Sequence, residues 1–311
     1  MPELPEAETI VRDLDRRVRG ARIAGAHVVH PDVLGSGLTA KAVDRRIRGR
    51  RIERVFRRGK NVIFILGPAA TPSEVGRSDR DGDDVRARRA TRSAAGHAAD
   101  PAPDAAAWLM INLGMTGRVV ASDAKRAAEL RHVAVRFDFD DGRALLYDDA
   151  RRFGRIDLLG TEAWSRRDTE LGVEPLGSDF NGARLFTRTR RSKVPIRNWL
   201  LDQTRVAGVG NIYANEALFR ARVRPTRRAY RLTKAEADRL VAGLRDVLEE
   251  AIEARGTTFS DYRDADGEAG AFEPRLRVYG RQGLPCPVCG APIKRVVLTN
   301  RSAFYCPRDQ R

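Results

Sequence analysis

A proline and a glutamate at the start of the chain form its first candidate chemical pair. If Met1 is removed, Pro2 carries a secondary amine, and an α-amino group has an ordinary pKa of roughly 8. Such an amine is partly unprotonated at neutral pH, so it can attack a carbon atom and form an iminium. Glu3 beside it could act as acid or base. The alternative is an ordinary Met-Pro start followed by a solvated Glu3.

Lys60 is a second candidate because lysine is rare in this chain. Six of the 58 basic residues are lysines, and this one ends the string Arg57-Arg58-Gly59-Lys60 at the start of a predicted strand. A lysine ammonium can exchange a proton with a substrate, whereas an arginine stays charged. Lys60 is therefore either a second catalytic group or a surface lysine placed there by chance.

A turn with two glycines separates two short predicted helices, residues 194–203 and 211–221. Gly208 and Gly210 lie in this turn, and Asn211 is expected at the N-cap of the second helix. The free backbone N–H groups at such a helix end bind phosphate readily. The turn therefore predicts a phosphate contact, or else a helix hairpin whose glycines are only structural.

All three cysteines lie close together near the end of the sequence. The spacing Cys286-x2-Cys289-x16-Cys306-x2-Asp309 is that of a zinc ribbon with one carboxylate among the ligands. An odd number of cysteines argues against a disulfide framework. The pattern predicts Zn²⁺, with Asp309 as the fourth ligand, or a hairpin that has lost its metal.

Two segments bounded by turns, residues 113–117 and 151–154, contain Met115 and Phe153. Apolar side chains at exposed loop tips can wedge between the bases of a duplex and hold it kinked. The alternative interpretation is that both side chains pack in the core at strand ends.

Periodicity predicts the elements that must position these groups. Residues 5–18 have the spacing of an amphipathic helix, with Pro5 in the first turn, and residues 233–255 form a long helix opened by a capping box. Alternation with β-branched residues predicts strands at 22–30, 51–56, 61–66, 108–113, 132–139 and 144–147. Several short strands joined by Gly and Asp turns predict a sandwich or barrel.

The composition changes abruptly between residues 67 and 107, which are rich in Ala, Arg, Asp and Gly. Such a stretch cannot bury enough apolar surface to order itself, so it is expected to be a disordered insertion, or else a DNA-contacting arm. The predicted organisation is α+β: a β-sandwich domain at 2–163, a linker at 164–178, a helical domain at 179–274 and a zinc-finger-like hairpin at 275–311.

The formal net charge of +16 and a pI of about 10.7 indicate a polyanionic partner, although charge can also serve solubility. The hydrophobic fraction is 42%, and no apolar run is long enough for a membrane span. The first residues do not have the pattern of a secretory signal. These features predict a cytoplasmic protein that binds nucleic acid and not membrane.

Taken together, these strings resemble the formamidopyrimidine-DNA glycosylase family along nearly the whole chain outside residues 67–107. The resemblance rests on MPELPEAET at the start, RRGK at 57–60, NLGMTG at 112–117, DARRFG at 149–154, QTRVAGVGNIYANEALF at 203–219, RLRVYGRQGLPCPVCG at 275–290 and NRSAFYC at 300–306. It implies a two-domain enzyme with a helix–two-turn–helix and a zinc finger. The implied activity is excision of oxidised purines from damaged double-stranded DNA, followed by strand cleavage at the abasic site.

The resemblance also implies roles for individual catalytic residues. Pro2 would be the Schiff-base nucleophile, and Glu3 the acid that opens the deoxyribose ring during base release. Lys60 would contact phosphate and donate a proton in β-elimination, and Glu6 would shape the site. Arg301 would grip the phosphate at the lesion and assist δ-elimination.

The same resemblance implies that the target nucleotide is flipped out of the duplex. Met115, Arg151 and Phe153 would then fill the gap left by the extruded base. Contacts to the DNA backbone are implied for the remaining candidates: His132, Lys193 and Asn211.

Two features bear on the substrate and on the metal. The segment 257–272 contains Ser260, Tyr262 and Gly267, which resemble the purine-lesion branch more than the endonuclease VIII branch for oxidised pyrimidines. Asp309 stands where the family has its fourth cysteine. A non-catalytic protein that binds damaged DNA is the remaining alternative, and a monomer is expected.

Overall fold

The computed structural model describes residues 2–69, 106–122, 130–258 and 269–311. Its helices are α1 Leu4–Val18, α2 Ala40–Ile47, α3 Thr161–Glu170, α4 Gly182–Thr189, α5 Ile196–Leu201, α6 Asn211–Arg220 and α7 Lys234–Glu253. Its strands are β1 Ile23–Val28, β2 Arg50–Arg58, β3 Asn61–Ala69, β4 Ala107–Asn112, β5 Arg118–Ser122, β6 Val133–Phe139, β7 Ala144–Asp148, β8 Arg155–Gly160, β9 Lys294–Leu298 and β10 Arg301–Tyr305. The predicted α+β class is confirmed.

Eight of these strands form the predicted β-sandwich. One antiparallel sheet has the order β1-β6-β7-β5, and the other has the order β2-β3-β4-β8. Their inward-facing side chains share one buried apolar cluster, to which Phe64, Phe137 and Tyr147 contribute aromatic rings. All five residues of β7 are buried because this strand lies inside its sheet.

Helix α1 joins the sandwich to the helical half of the molecule. Its face of Ile10, Leu14 and Val18 packs in the core of the sandwich, as the spacing predicts. Leu4, at its first turn, belongs instead to the core of the helical domain. The start of α1 therefore lies where the two domains meet.

Several elements were not expected from the sequence. The strand predicted at 61–66 continues to Ala69, and β4 begins at Ala107, so the predicted insertion at 67–107 is wrong at both ends. The rest of that insertion, from 70 to 105, lies outside the described residues. Helices α2 and α4 and strands β5 and β8 were also missed, because each is short and its period is correspondingly weak.

The predicted linker at 164–178 begins inside a helix, α3. None of its residues is buried, so it has no apolar stripe for periodicity to detect. Instead Trp164 stacks on Trp108 with ring centroids 6.2 Å apart and meets Phe56 edge-on at 5.9 Å. Ring contacts with the sandwich stabilise this helix more than its own spacing does.

The helical domain is formed by α4 to α7 around a second apolar core. The predicted capping box is present at the start of α7, where Thr233 Oγ1 accepts from Glu236 N and Glu236 Oε2 accepts from Thr233 N. None of the described helices is both long and apolar enough to cross a membrane.

A small third cluster lies beneath the C-terminal hairpin of β9 and β10. Thr299 and Asn300 both have positive φ, +47° and +59°, and form a two-residue turn between these strands. Arg301 is the first residue after the turn and pairs with Leu298. The turn therefore carries Arg301 at the tip of the hairpin.

Candidate active site

Glu3 is buried at the junction of the two domains. The residue is 3% exposed, which excludes the solvated alternative. Its Oε1 accepts from Ile212 N at 2.9 Å and its Oε2 from Tyr213 N at 3.4 Å, at the N-terminus of α6. Its own backbone N–H donates to Glu6 Oε2 at 2.8 Å. The carboxylate thus caps a helix whose first donor lies 209 positions away in the sequence.

The glycine turn before α6 is required by the close approach of this N-terminal segment. Gly208 has φ +86°, and its carbonyl accepts from Leu4 N at 3.0 Å. A Cβ at Gly210 would lie 2.2 Å from Glu3 Cδ. Glycine at these two positions allows residues 3 and 4 to lie this close to the turn, because it tolerates the positive φ and has no Cβ.

This arrangement corrects the phosphate site expected at the same turn. Gly210, not Asn211, is the N-cap of α6, and the N–H groups of Ile212 and Tyr213 donate to Glu3. A carboxylate therefore occupies the position at this helix end where the sequence predicted a phosphate.

Lys60 and Glu3 perturb each other across the junction. Burial raises the pKa of the Glu3 carboxyl, against the opposing effect of Lys60 and of the α6 N–H groups. Burial lowers the pKa of the Lys60 ammonium, and the Arg301 charge adds to that shift while Glu3 opposes it. Both groups are therefore moved towards their neutral forms, as is typical of proton donors and acceptors in active sites. Lys60 is not a chance surface lysine.

A cavity of about 240 Å³ brings the three predicted catalytic side chains Pro2, Lys60 and Arg301 together. The rest of its lining consists of Asn112, Leu113, Gly114, Leu201 and Gln203. Pro2 and Lys60 come from the sandwich, and Arg301 comes from the C-terminal hairpin. The cavity therefore brings the proline near the start of the chain, a perturbed lysine and a second cation to one small volume.

Glu6 lies next to Glu3 in a buried polar network that also includes Tyr213 and Thr257. Its Oε1 accepts from Tyr213 Oη at 2.5 Å and from Thr257 N at 2.8 Å. Tyr213 Oη also lies 2.9 Å from Thr257 Oγ1. Burial, followed by the charge of Glu6, raises the pKa of Tyr213 well above its ordinary value, so the phenol stays a donor. The role of Tyr213 was missed, although it lies within the quoted string 203–219.

Family models match three consecutive parts of this chain. They are the formamidopyrimidine-DNA glycosylase N-terminal domain at residues 1–156, the formamidopyrimidine-DNA glycosylase H2TH domain at 171–263, and the zinc finger found in FPG and IleRS at 283–311. A formamidopyrimidine-DNA glycosylase from Cereibacter sphaeroides is 39% identical over 322 residues, with 100% of both chains covered. This chain belongs to the formamidopyrimidine-DNA glycosylase family.

Solved structures agree with this membership. The crystal structure of MutM (FPG) from Thermus thermophilus is 36% identical, with a TM-score of 0.76, and covers 99% of this chain and 98% of its own. A variant of Lactococcus lactis FPG in complex with a Fapy-dG containing DNA is 27% identical, with a TM-score of 0.80 and 99% of both chains covered. The chain is thus a DNA-repair glycosylase with a zinc-finger module.

In this glycosylase Met115 and Phe153 are exposed, which contradicts the core-packing alternative. Met115 is 40% exposed and Phe153 is 61% exposed. Thr116 Oγ1 donates to Asp149 Oδ1 at 2.5 Å and thereby ties the two loops side by side. The Arg151 guanidinium lies 4.7 Å from the centre of the Phe153 ring. The three predicted gap-filling side chains therefore form one exposed group.

His132 and Lys193 are both exposed, on different domains. The backbone N–H of His132 donates to Asp148 Oδ1, close to the loop of Arg151. Lys193 precedes α5, and its carbonyl accepts from Arg228. Neither side chain lines the cavity that holds Pro2.

Asn211 and the Arg301 hairpin are held together by a buried arginine that sequence analysis missed. Arg197 is 1% exposed and donates to Asn211 Oδ1 at 2.5 Å and to the carbonyls of Leu298 and Ser302 at 3.2 Å. Burial, together with repulsion from Arg301, lowers the pKa of Arg197 to about 10. Asn211 Nδ2 also donates to Ser302 O. An arginine in such an Arg-rich chain gave no signal of its own.

The three cysteine sulfurs lie within 4.8 Å of one another. Backbone N–H groups point at two of them, from Val288 to Cys286 Sγ at 3.5 Å and from Asp309 to Cys306 Sγ at 3.4 Å. This is a donor set that fits zinc. Among the described residues the Asp309 carboxylate is not part of the group, and its Oδ1 lies 3.6 Å from Arg222 Nε instead. Ser260, Tyr262 and Gly267 lie outside the described residues.

Proposed function

We propose that this chain is a bifunctional DNA glycosylase and abasic-site lyase that excises oxidised purines by way of a Pro2 iminium. The observation that carries the proposal is the cavity shared by Pro2, Lys60 and Arg301. Glu3, whose pKa is raised by burial, is the residue next to Pro2, and the pKa of Lys60 is lowered by burial. An amine nucleophile, a protonated acid and an amine of lowered pKa are the groups that this chemistry needs.

Removal of Met1 would leave Pro2 with a free secondary amine. Its nitrogen attacks C1′ of the damaged nucleotide, and the bond from C1′ to the base breaks, so that the base leaves with the electron pair and takes up a proton. Glu3 donates its proton to O4′ as the C1′–O4′ bond opens, and the Pro2 nitrogen is then doubly bonded to C1′. The raised pKa of Glu3 supports this role because it keeps the carboxyl protonated at higher pH.

Two eliminations would follow on the iminium. Loss of a proton from C2′ expels the 3′ phosphate, and loss of a proton from C4′ then expels the 5′ phosphate in a second elimination. Lys60, with its lowered pKa, can carry protons in these steps. Arg301, at the tip of its hairpin, faces the same cavity and would hold the departing phosphate.

DNA would lie across both domains with the damaged nucleotide flipped into the cavity. The exposed side chains of Met115, Arg151 and Phe153 would fill the gap in the duplex. The exposure of Met115 and Phe153 and the contact between Arg151 and Phe153 support this role. Backbone contacts are proposed for His132, Lys193 and Asn211, and Glu6 would shape the floor of the site. The net charge of +16 and a relative's structure with Fapy-dG containing DNA support this partner.

Zinc would be held by Cys286, Cys289 and Cys306, and its contribution when bound is to stabilise the fold of the finger. Asp309 is proposed as the fourth ligand, because its backbone N–H already donates to Cys306 Sγ. To bind the metal, its carboxylate would have to break its ion pair with Arg222. Arg222 is a weak competitor because its side chain is 68% exposed.

The proposal is tested by borohydride trapping on a duplex that contains 8-oxoguanine, with an undamaged duplex and an oxidised-pyrimidine duplex beside it. We expect a covalent adduct on the 8-oxoguanine duplex only, and its loss in Pro2→Gly. Full strand cleavage by Pro2→Gly would overturn the nucleophile. Trapping confined to the pyrimidine lesion would move the enzyme to an endonuclease VIII-like specificity, and lesion binding without any adduct would indicate a non-catalytic protein.

A further inference from the structure

Lys60 belongs to a tight turn whose preceding residues are bound by one carboxylate of the other domain. Glu174 Oε1 accepts from Gly59 N at 2.8 Å and from Arg58 Nη1 at 3.1 Å. Its Oε2 lies 2.6 Å from Arg57 Nη2. Three successive residues before Lys60 therefore contact the same side chain.

Glu174 is itself placed by a pair of extended segments in the second domain. Val173 N donates to Arg205 O at 3.3 Å, and Ala207 N donates to Val173 O at 2.9 Å. The next residue, Gly208, accepts the hydrogen bond from Leu4 N. The segment that positions Glu174 thus lies against the segment that positions the start of α1, two residues from Pro2.

The ion pairs around Glu174 are strong enough to fix this turn. The Arg57 side chain is 8% exposed and lies between Glu174 and Glu8. Burial alone would lower the pKa of Arg57, but the two carboxylates outweigh burial and raise it. The Arg58 side chain is also largely buried, and it forms ion pairs with both Glu174 and Asp168, which lies on α3. Largely buried ion pairs of this kind hold geometry better than exposed ones.

We propose that Glu174 is a positioning residue, which sets Lys60 at its place opposite Pro2 and Glu3 across the domain boundary. The inference rests on the proposed function for its catalytic readout. Without the Glu174 carboxylate, the Gly59 N–H and two guanidinium groups lose an acceptor, and the turn is free to move away from Gly208. A displacement of about 1 Å at a reacting group can lower a rate about 100-fold.

The test compares Glu174→Ala and Glu174→Gln with Asp168→Asn. The glutamine keeps an oxygen for the Gly59 N–H, so it separates the loss of that hydrogen bond from the loss of charge. The Asp168 variant is the matched control, because it removes a carboxylate from the same Arg58 without contacting Gly59. Single-turnover cleavage of an abasic-site duplex gives the rate, and titration of an uncleavable abasic analogue gives the Kd.

For Glu174→Ala we expect cleavage to be about 10- to 100-fold slower, with the Kd changed less than about threefold. Glu174→Gln should recover part of the rate, and Asp168→Asn should stay within about threefold of the parent. An equal loss in Asp168→Asn would overturn the inference, since it would assign the effect to the domain contact as a whole. An unchanged rate in Glu174→Ala would overturn it as well.

A readout independent of catalysis separates this inference from the proposed function. Competitive acylation of the folded protein with acetic anhydride over a range of pH, quantified by mass spectrometry, reports the reactivity of Lys60. We expect Glu174→Ala to move the Lys60 profile towards that of the exposed Lys193, because the amine leaves its buried place beside Glu3. If Glu174→Ala does not fold, the same measurement is made on Glu174→Gln, for which we expect a smaller shift of the Lys60 profile in the same direction. Identical Lys60 profiles in the parent and the folded variants would overturn the positioning role, even where the parent shows no trapping on DNA.

Discussion

Two regions of the molecule each place one cation in the same cavity, but by different means. One is the cleft at the junction of the two domains, where Glu3 and Lys60 lie, and the other is the C-terminal finger, formed by β9, β10 and the three cysteines. Lys60 in the cleft is held by buried contacts between two domains, with Glu174 and Gly208 on the far side of the boundary. Arg301 in the finger is held at the tip of a two-residue turn, on a hairpin tied by Arg197. The cleft depends on close packing of distant segments, whereas the finger depends on local turn chemistry and on its cysteines.

This difference has an energetic consequence. The cleft contains buried groups that would be more stable in their neutral forms, so its charges oppose folding and must be offset by the two apolar cores. The finger has a small core and is anchored by Gln310, whose Oε1 accepts from Cys306 N and whose Nε2 donates to Val223 O, both at 2.8 Å. Function should therefore be lost from the cleft by single polar changes, and from the finger by loss of metal.

The largest effect is expected for Glu3→Gln. Loss of the acid should slow base excision about 10²- to 10⁴-fold, because the amide cannot donate a proton to O4′. Cleavage at a preformed abasic site should fall much less, since ring opening has already occurred there. The measurement is single-turnover excision from an 8-oxoguanine duplex, with the exposed Glu249→Gln as control. Equal losses on both substrates would contradict this division of roles.

Gly210→Ala tests the close approach within the cleft. The added Cβ would meet Glu3 Cδ at 2.2 Å, so Glu3 or α6 must shift. We expect unfolding to become easier by about 1–3 kcal/mol and excision to slow at least about tenfold. Gly177→Ala, whose nearest contact is 3.3 Å from the carbonyl of Glu174, should change both much less. Wild-type rates in Gly210→Ala would contradict the proposed catalytic role of the Glu3 carboxyl that this turn contacts.

Removal of metal should separate the finger from the cleft. Chelation, or Cys306→Ser, is expected to loosen the hairpin and to weaken the second elimination, which we propose depends on Arg301, about tenfold. Tyr213 and Glu3 should remain protected in hydrogen exchange because their contacts lie in the cleft. Metal analysis of the untreated protein should give about one zinc per chain. A fully active protein without zinc would show that Gln310 and packing suffice to hold the finger.

Asp309→Cys sharpens the same comparison by strengthening the finger alone. A thiolate is a better zinc ligand than a carboxylate, so zinc affinity measured by competition with a chelator should rise about tenfold. Asp309→Ala should lower it if the carboxylate leaves Arg222 for the metal. Equal affinities in parent and alanine variant would mean that the fourth ligand is not Asp309.

The smallest effect is the pH dependence of stability at Glu3. Because the pKa of the folded state is raised above the ordinary 4.5, the folded state binds the proton more tightly, and stability from this group is lost as pH rises through the raised value. The neutral Glu3→Gln should therefore match the parent near pH 4 and be more stable than the parent at pH 8. Urea unfolding at both pH values measures this, and Glu249→Gln should give no such trend.

Sequence alone predicted much of the fold where the pattern is strong and local. The period of α1, the capping box of α7 and the alternation in β6 each depend on residues near one another, so their elements were predicted within a few residues. Helix α3 was missed because it is stabilised by Trp108, which is distant in sequence. The cysteine spacing was read correctly for the three sulfurs, since a zinc ribbon is a local motif.

For the site, the sequence by itself determined which chemical groups are available: a second-position proline next to a carboxylate, a rare lysine and three thiols. Only the tertiary structure decided that Glu3 caps α6, that the lack of a Cβ at Gly210 leaves room for the Glu3 carboxylate, and that Glu174 binds the Lys60 turn. These contacts join residues more than 100 positions apart, and no periodicity or spacing encodes such pairs. The pKa shifts of Glu3 and Lys60 follow from that burial, so they too belong to the folded molecule and not to the sequence.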